Sequence, residues 1–471
     1  MLLRSARVKG AIVDIRVEGG LITEIGRLDG EGLDLEGRFV MPGLWDEHVH
    51  FSQWALTAQR LDVGAATSAK EVAALVGEAI SSAPVGVTFV AQGFRDGLWG
   101  DAPNLEDLDA VSGGHPVVII SADLHAAWLN SAALALYGHI GNPTGLLREE
   151  PAFEVTRRVG EVPDDLLDAW VRDAAARAAR RGVVGVVDLE MGWNLDTWQR
   201  RMNGGFDSLR VEFGVYRQHL DRAIELSLRT GQQLSELLTV GRFKILTDGS
   251  LNTRTAYCAA DYPGQPGRRG LLEVDPAELV ELVGRAHRAG IESSVHAIGD
   301  AANTLALDAF EAVGCGGRIE HAQLVAESDF PRFAALGVVA SVQPEHAMDD
   351  RDVADRYWEG WTDRAYAWRR FLDAGATLAF GSDAPVAPLD PWVAIAAAVG
   401  RDRDGRGPWL PDQRLSVADA IAASTRSTVA VGQPADLVVT DIDPGAVGHE
   451  QLRSMPVAGT LCAGHLTFST I

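Results

Sequence analysis

The sequence predicts an α/β fold: a parallel (β/α)8 barrel flanked by a small β-domain built from both chain ends. Three observations carry this expectation. Apolar strand-like runs alternate with helix-like segments through the middle of the chain, as a parallel sheet with crossover helices requires. The two ends instead show short runs of alternating polarity punctuated by glycine, each too small to bury a core alone. A chain of 471 residues has room for one large barrel and one smaller domain.

In chain order, residues 1–43 read as the N-terminal part of the β-domain, with strand-like runs at 10–17, 21–25 and 37–40. Residues 44–428 read as the barrel, and 429–471 as the C-terminal part of the β-domain, with runs at 435–440 and 457–464. Within the barrel segment the runs are 44–50, 88–92, 117–121, 183–188, 211–216, 243–247, 291–296, 318–321, 338–343 and 378–382. That is two more than eight strands require, and the surplus lies before Lys244. Helix-like segments fall at 68–81, 163–181, 275–289, 300–313 and 363–374. Several open on Ser or Asp and close on Gly, as helix ends should.

The net charge of −23 argues against a nucleic-acid partner or an anionic membrane, because phosphate repels such a surface. Cys258, Cys315 and Cys462 are odd in number and far apart, so they imply no disulfide framework and suit a reducing compartment. With no leader-like N-terminal run and no apolar stretch of membrane-spanning length, a cytoplasmic location is expected. The expected partner is a small molecule, with a homodimer left open.

The stretch Met41-Pro-Gly-Leu-Trp-Asp-Glu-His-Val-His50 ends in two histidines two residues apart. On a strand, such residues project from one face, so His48 and His50 can grip one metal ion together. Four later strand-like runs end in a residue able to bind metal: Lys244, His296, His321 and Asp383. In a (β/α)8 barrel the carboxyl ends of the strands meet at one mouth, so these residues would converge there. Each also has an ordinary reading. A lone histidine is more often a hydrogen-bonded core or loop residue, an aspartate after Gly-Ser a turn or cap, and a strand lysine a snorkelling side chain. Lysine is scarce, with Lys9, Lys70 and Lys244 the only three among 42 basic residues. An amine can add carbon dioxide to form a carbamate that bridges two cations; a guanidinium cannot. The sequence contains no Walker A motif, no Gly-x-Gly-x-x-Gly opening a helix and no Gly-x-Ser-x-Gly elbow.

Taken together with Asp123-Leu-His-Ala-Ala-Trp-Leu-Asn-Ser131, Lys244-Ile-Leu-Thr-Asp-Gly-Ser-Leu-Asn-Thr-Arg-Thr-Ala256, Val295-His-Ala-Ile-Gly-Asp300, Arg318-Ile-Glu-His-Ala322, Ser341-Val-Gln-Pro-Glu-His346 and Gly381-Ser-Asp-Ala-Pro-Val386, the chain resembles the amidohydrolase superfamily. Within it, the resemblance is to the branch of N-substituted formamide deformylase and its YtcJ-like relatives. The resemblance implies a deformed (β/α)8 TIM barrel with a flanking β-sandwich and a site for one or two divalent ions, zinc by expectation. It places His48 and His50 on the more buried metal and His296 and His321 on the second. Lys244 would bridge as its carbamate if two ions bind, and Asp383 would touch both metal and nucleophile as the catalytic base. Residues 423–435 form a shorter passage into the terminal sandwich than is usual in the family.

The implied reaction is hydrolysis of a C–N amide bond by metal-activated water. Twelve tryptophans, several near strand ends or loops, point to an apolar substituent on an N-formyl or N-acyl amine. Expected substrate contacts are Trp99, His125, Trp128, Arg254, Gln343 and His346. A structural role is equally open for two of them, with His125 on backbone and Arg254 paired with Asp248 or another carboxylate. The alternatives are a deaminase or cyclic-amide hydrolase on the same scaffold and, more distantly, a binding protein without chemistry.

Overall fold

A computed structural model describes residues 1–81, 87–96, 99–121, 126–148 and 150–471. The chain divides into two units, one formed by Met1–Phe51 with Ala175–Ile471 and the other by Ser52–Ala174.

The first unit holds eight parallel strands: β1 (Leu44–Val49), β2 (Val183–Asp188), β3 (Arg210–Tyr216), β4 (Leu238–Leu246), β5 (Ser293–Ala297), β6 (Gly317–His321), β7 (Val338–Val342) and β8 (Leu378–Phe380). Each pairs with the next in chain order, and β1 and β8 are the two ends of the sheet. Just beyond β8 the ends meet: the Asp383 amide donates to the His48 carbonyl at 2.7 Å, and the His50 amide to the Ala384 carbonyl at 2.8 Å. Gly381 permits this approach, since a Cβ there would lie 2.6 Å from the His48 backbone nitrogen. The result is a nearly closed barrel, as expected.

Both chain ends build a second eight-stranded sheet. Phe39–Pro42 pairs antiparallel with Leu437–Thr440, so the two termini share one ladder. Ile15, Val17, Ile22, Leu437, Val439 and Leu461 are buried in a common core, the shared burial that neither end could supply separately.

The surplus strands are resolved by the other unit. Phe89–Phe94 and Val117–Ser121 do not join the barrel; they belong to a five-stranded sheet with Leu61–Asp62, Ala126–Leu129 and Leu146–Arg148. A short continuous apolar run reads the same in either sheet, because periodicity does not name its partner. The helix-like segment 363–374 also differs, breaking into a 3-10 turn, Thr362–Arg364, and a helix, Trp368–Asp373. Between them Tyr366 takes a left-handed φ of 50°. Its amide donates to the Gln323 carbonyl, and its hydroxyl donates to Asp350 at 2.6 Å. Among the described residues no helix is long and apolar enough to cross a membrane.

Candidate metal centre

Parallel register sets which side chains share the barrel interior. Tyr216, Lys244, Ser294 and Arg318 lie side by side across β3 to β6. Leu246, His296, Glu320 and Ser341 form another row across β4 to β7. Toward the base of the interior, a buried ion-pair network carries the charge. Glu47 accepts from Arg318 at 2.7 Å and from Arg426 at 2.6 Å, while Arg426 also reaches Glu212 at 2.7 Å. Burial alone would raise the Glu47 carboxyl, but Arg426 and Arg318 outweigh it and hold it at about 2.

Above this layer the expected metal-binding residues converge. His48, His321 and Asp383 offer ligand atoms all within 4.8 Å of one another. Asp383 Oδ1 is 3.4 Å from His48 Nε2 and 3.4 Å from His50 Nε2. The His296 and His321 ring centres are 4.5 Å apart. Lys244 is buried at 2% exposure, and its charge bears on both His48 and His296. Strand alternation would turn Glu320 and His321 to opposite faces. His321 instead adopts φ 75°, and Asp383 φ 58°. These are costly backbone conformations for side-chain-bearing residues, of the kind that cluster at functional sites.

Electrostatics keep the site ready for a cation. Burial pushes His296 down to about 3 and holds His321 well below the ordinary imidazole value. Burial, reinforced by Lys244, also lowers His48. Burial opposes charge on His50, but Asp383 outweighs it and raises that ring. Burial would likewise raise Asp383, yet the surrounding imidazoles keep its carboxyl well below the carboxylate range. Burial lowers the Lys244 ammonium. Neutral imidazoles at His48, His296 and His321 and an ionised carboxylate at Asp383 are the protonation states a divalent ion needs, while His50 would release its proton on binding. Two buried nitrogens, His50 Nδ1 and His346 Nε2, have no hydrogen-bond partner among the described residues. An N/O donor set of this kind fits zinc or a similar divalent ion.

His296 yields a pH prediction. The unfolded chain takes up this proton near pH 6.5, whereas the folded chain resists it to about 3. Stability from this group is therefore fully present above pH 6.5 and is lost as pH falls toward 3, by up to about 1.4 kcal/mol per unit. In chelator-treated protein, thermal unfolding from pH 7 to 4 should show wild type losing ground to His296→Gln. Asp46, raised to about 7 chiefly by burial, titrates in both proteins and cancels in the difference. Asp248, likewise raised to about 7, lies 3.4 Å from His296 Nε2 and is coupled to it, so the comparison is made in an Asp248→Asn background. A stability difference constant with pH would contradict a buried neutral His296.

The expected substrate contacts fare differently. His346 lies near the centre, its ring stacked on His321 at 6.4 Å and its Nε2 3.9 Å from Asp383 Oδ2. Gln343 is aimed at a histidine, its Oε1 accepting from His321 Nδ1 at 2.8 Å. Arg254 is exposed and lies over the Tyr357 ring at 5.4 Å. It does not pair with Asp248, which accepts the backbone amides of Tyr257, Ile298 and Gly299 and so ties two loops together. Trp128 is a fully buried core residue of the 52–174 unit, its indole donating to the Asn104 carbonyl at 2.9 Å. Trp99 packs against that same core. His125 lies outside the described residues.

Two residues given no role in the sequence reading stand out. Glu320, fully buried, accepts from His48 Nδ1 at 2.7 Å. Tyr216, 4% exposed, makes no hydrogen bond through its hydroxyl to any described residue. Burial, with Asp383 and Glu190 nearby, keeps its phenol protonated. The signal for Glu320 was present in Arg318-Ile-Glu-His-Ala322, where a carboxylate lies two residues after Arg318 and directly before a candidate ligand histidine.

A barrel with histidines and an aspartate gathered at the carboxyl ends of its strands defines a class of metal-dependent hydrolase. The sequence model of the amidohydrolase family matches residues 31–468, and the chain belongs to that family. It is 33% identical over 434 residues to protein LONG AFTER FAR-RED 3 of Arabidopsis thaliana, spanning 84% of this chain and 74% of that protein. It is 26% identical over 499 residues to N-substituted formamide deformylase of Arthrobacter pascens, spanning 93% and 90%. A solved structure of an uncharacterized metal-dependent hydrolase from Pyrococcus horikoshii superimposes with a TM-score of 0.83 at 26% identity, covering 95% of this chain and 99% of that one. The protein is a hydrolase acting on carbon–nitrogen bonds of a small molecule, and its family implies a divalent metal.

Proposed function

We propose that the protein hydrolyses an N-formyl or N-acyl amine bearing an apolar substituent, with one or two zinc ions held by His48, His50, His296, His321 and Asp383. With two ions, Lys244 would bridge them as its carbamate. The observation that carries this reading is the convergence of His48, His321 and Asp383 ligand atoms within 4.8 Å in a buried setting. The name of the Arthrobacter relative supports the formamide class.

An apolar substituent finds support at the barrel mouth, though not from the tryptophans expected there. Trp128 is a core residue, and Trp99 packs against the same core. Met191, just beyond β2, Leu246, at the end of β4, and Val386, beyond β8, are instead exposed apolar side chains. Leu246 stands in register with His296 and so faces the same interior.

A divalent ion held by these histidines and Asp383 would polarise the substrate carbonyl and lower the pKa of a bound water toward neutrality. Asp383, kept ionised, accepts a proton at its carboxylate and returns it to the leaving amine nitrogen. Tyr216, kept protonated, offers a hydroxyl donor to the substrate. The fold excludes bulk water through the near-complete burial of Lys244, Glu320, His48 and His321.

The test is metal content measured on the purified protein, together with a screen of N-formyl and N-acyl amines with aliphatic or aromatic substituents. Release of amine and carboxylate, faster with the larger apolar substituents, is expected. Bound metal with ammonia release from aminated heterocycles, and no amide turnover, would replace this reading with a deaminase.

A further inference from the structure

We infer that Glu320 is a positioning residue that fixes the ring orientation and tautomer of His48, making His48 the most strongly donating imidazole of the centre. The inference rests on reading this cluster as a metal centre, and it assigns Glu320 a role outside the set of expected ligands.

The four histidines differ in what holds the nitrogen turned away from the cluster. His321 Nδ1 meets the neutral amide oxygen of Gln343 at 2.8 Å. His296 Nε2 meets the Gly249 carbonyl at 3.2 Å. His50 Nδ1 has no partner among the described residues. His48 Nδ1 hydrogen-bonds a carboxylate, Glu320 Oε2, at 2.7 Å, whereas the carboxylate nearest His296 Nε2, Asp248 Oδ1, stands off at 3.4 Å. A proton on Nδ1, donated to Glu320, leaves Nε2 with its lone pair, and Nε2 is the nitrogen 3.4 Å from Asp383 Oδ1. A carboxylate behind an imidazole raises the ligand's basicity as well as fixing its ring. Charge-assisted bonds of this kind are about twice as strong as neutral ones.

Glu320 is itself held in place. It has no solvent exposure, its Oε1 accepts from the Ser294 hydroxyl, and Arg318 Nε lies 4.0 Å from the same oxygen. The left-handed turn at His321 lets this strand deliver both residues: Glu320 behind His48, and His321 into the cluster.

The experiment measures zinc affinity by competition with a chromophoric chelator, and the visible spectrum of the cobalt-substituted protein. The proteins compared are wild type, Glu320→Gln, Glu320→Asp and Ser294→Ala. Thermal unfolding of the metal-free forms serves as the structural control. Glu320→Gln should weaken zinc by about 10- to 100-fold and shift the cobalt bands while the metal-free protein stays folded. Glu320→Asp keeps the charge but withdraws it from His48, and should weaken zinc by a similar factor. Ser294→Ala should cost only a few-fold. Zinc affinity within about three-fold of wild type in a folded Glu320→Gln protein would overturn the assignment. Should that variant not fold, the same result for Glu320→Asp would overturn it. Wild-type protein with no measurable zinc affinity would overturn the metal-centre reading itself, and is distinguished by needing no variant.

Discussion

Asp383→Asn is expected to lower kcat by about 10² to 10⁴, the usual cost of losing a general base, while leaving the fold and most of the bound metal in place. Asparagine preserves the shape of a side chain whose carboxylate oxygen lies 3.4 Å from two histidine nitrogens, but an amide cannot accept a proton at neutral pH. The backbone at this position is demanding, with φ 58°. Asparagine is among the residues that tolerate the left-handed region best, so the substitution adds little strain. The measurement pairs steady-state kinetics with metal analysis. Loss of turnover with metal retained supports a base at Asp383. A kcat within a few-fold of wild type would move the role elsewhere, first to His346, whose Nε2 stands 3.9 Å from the same carboxylate.

Lys244→Arg and Lys244→Ala should both abolish turnover and reduce the metal content, on the proposal that this lysine bridges two ions as its carbamate. Lys244 is buried, and burial lowers its ammonium below the ordinary lysine value. That favours the neutral amine, whose lone pair attacks carbon dioxide. The new N–C bond forms as one amine proton is released, and the product is an anion. Arginine keeps length and charge but stays protonated and cannot be carboxylated, so conservation of charge should not help. For Lys244→Ala, a short-chain carboxylate supplied with zinc should restore part of the activity by standing in for the missing anion. Full activity and metal content in Lys244→Arg would refute the bridging role and favour a single-ion site.

Much of the barrel was legible because its signals are local. Strand-like runs alternating with helix-like segments identify a parallel sheet, and eight of the ten runs became β1 to β8. The other two, around 88–92 and 117–121, were indistinguishable from barrel strands in sequence. A fully buried strand carries no mark of which neighbour it will pair with, and that choice rests on long-range register. The candidate ligands were legible for a similar reason. His48 and His50 show strand spacing, and the later candidates fall in or just after strand-like runs whose carboxyl ends meet at one mouth.

The tertiary structure alone decided what stands behind those ligands. Glu320 stands in register with His296 and faces the interior, so simple alternation would have turned the neighbouring His321 away from the site. The left-handed φ at His321 brings both residues inward. Gln343 read as a substrate contact, but its position places its oxygen on His321. Trp128 read as a substrate contact because it falls near a predicted strand end or loop, whereas burial of its ring and an indole bond to Asn104 make it core. Residue type and spacing determine which groups can do chemistry. Which partner each group meets depends on backbone turns of a few residues and on strands hundreds of positions apart, and neither leaves a pattern in the local sequence.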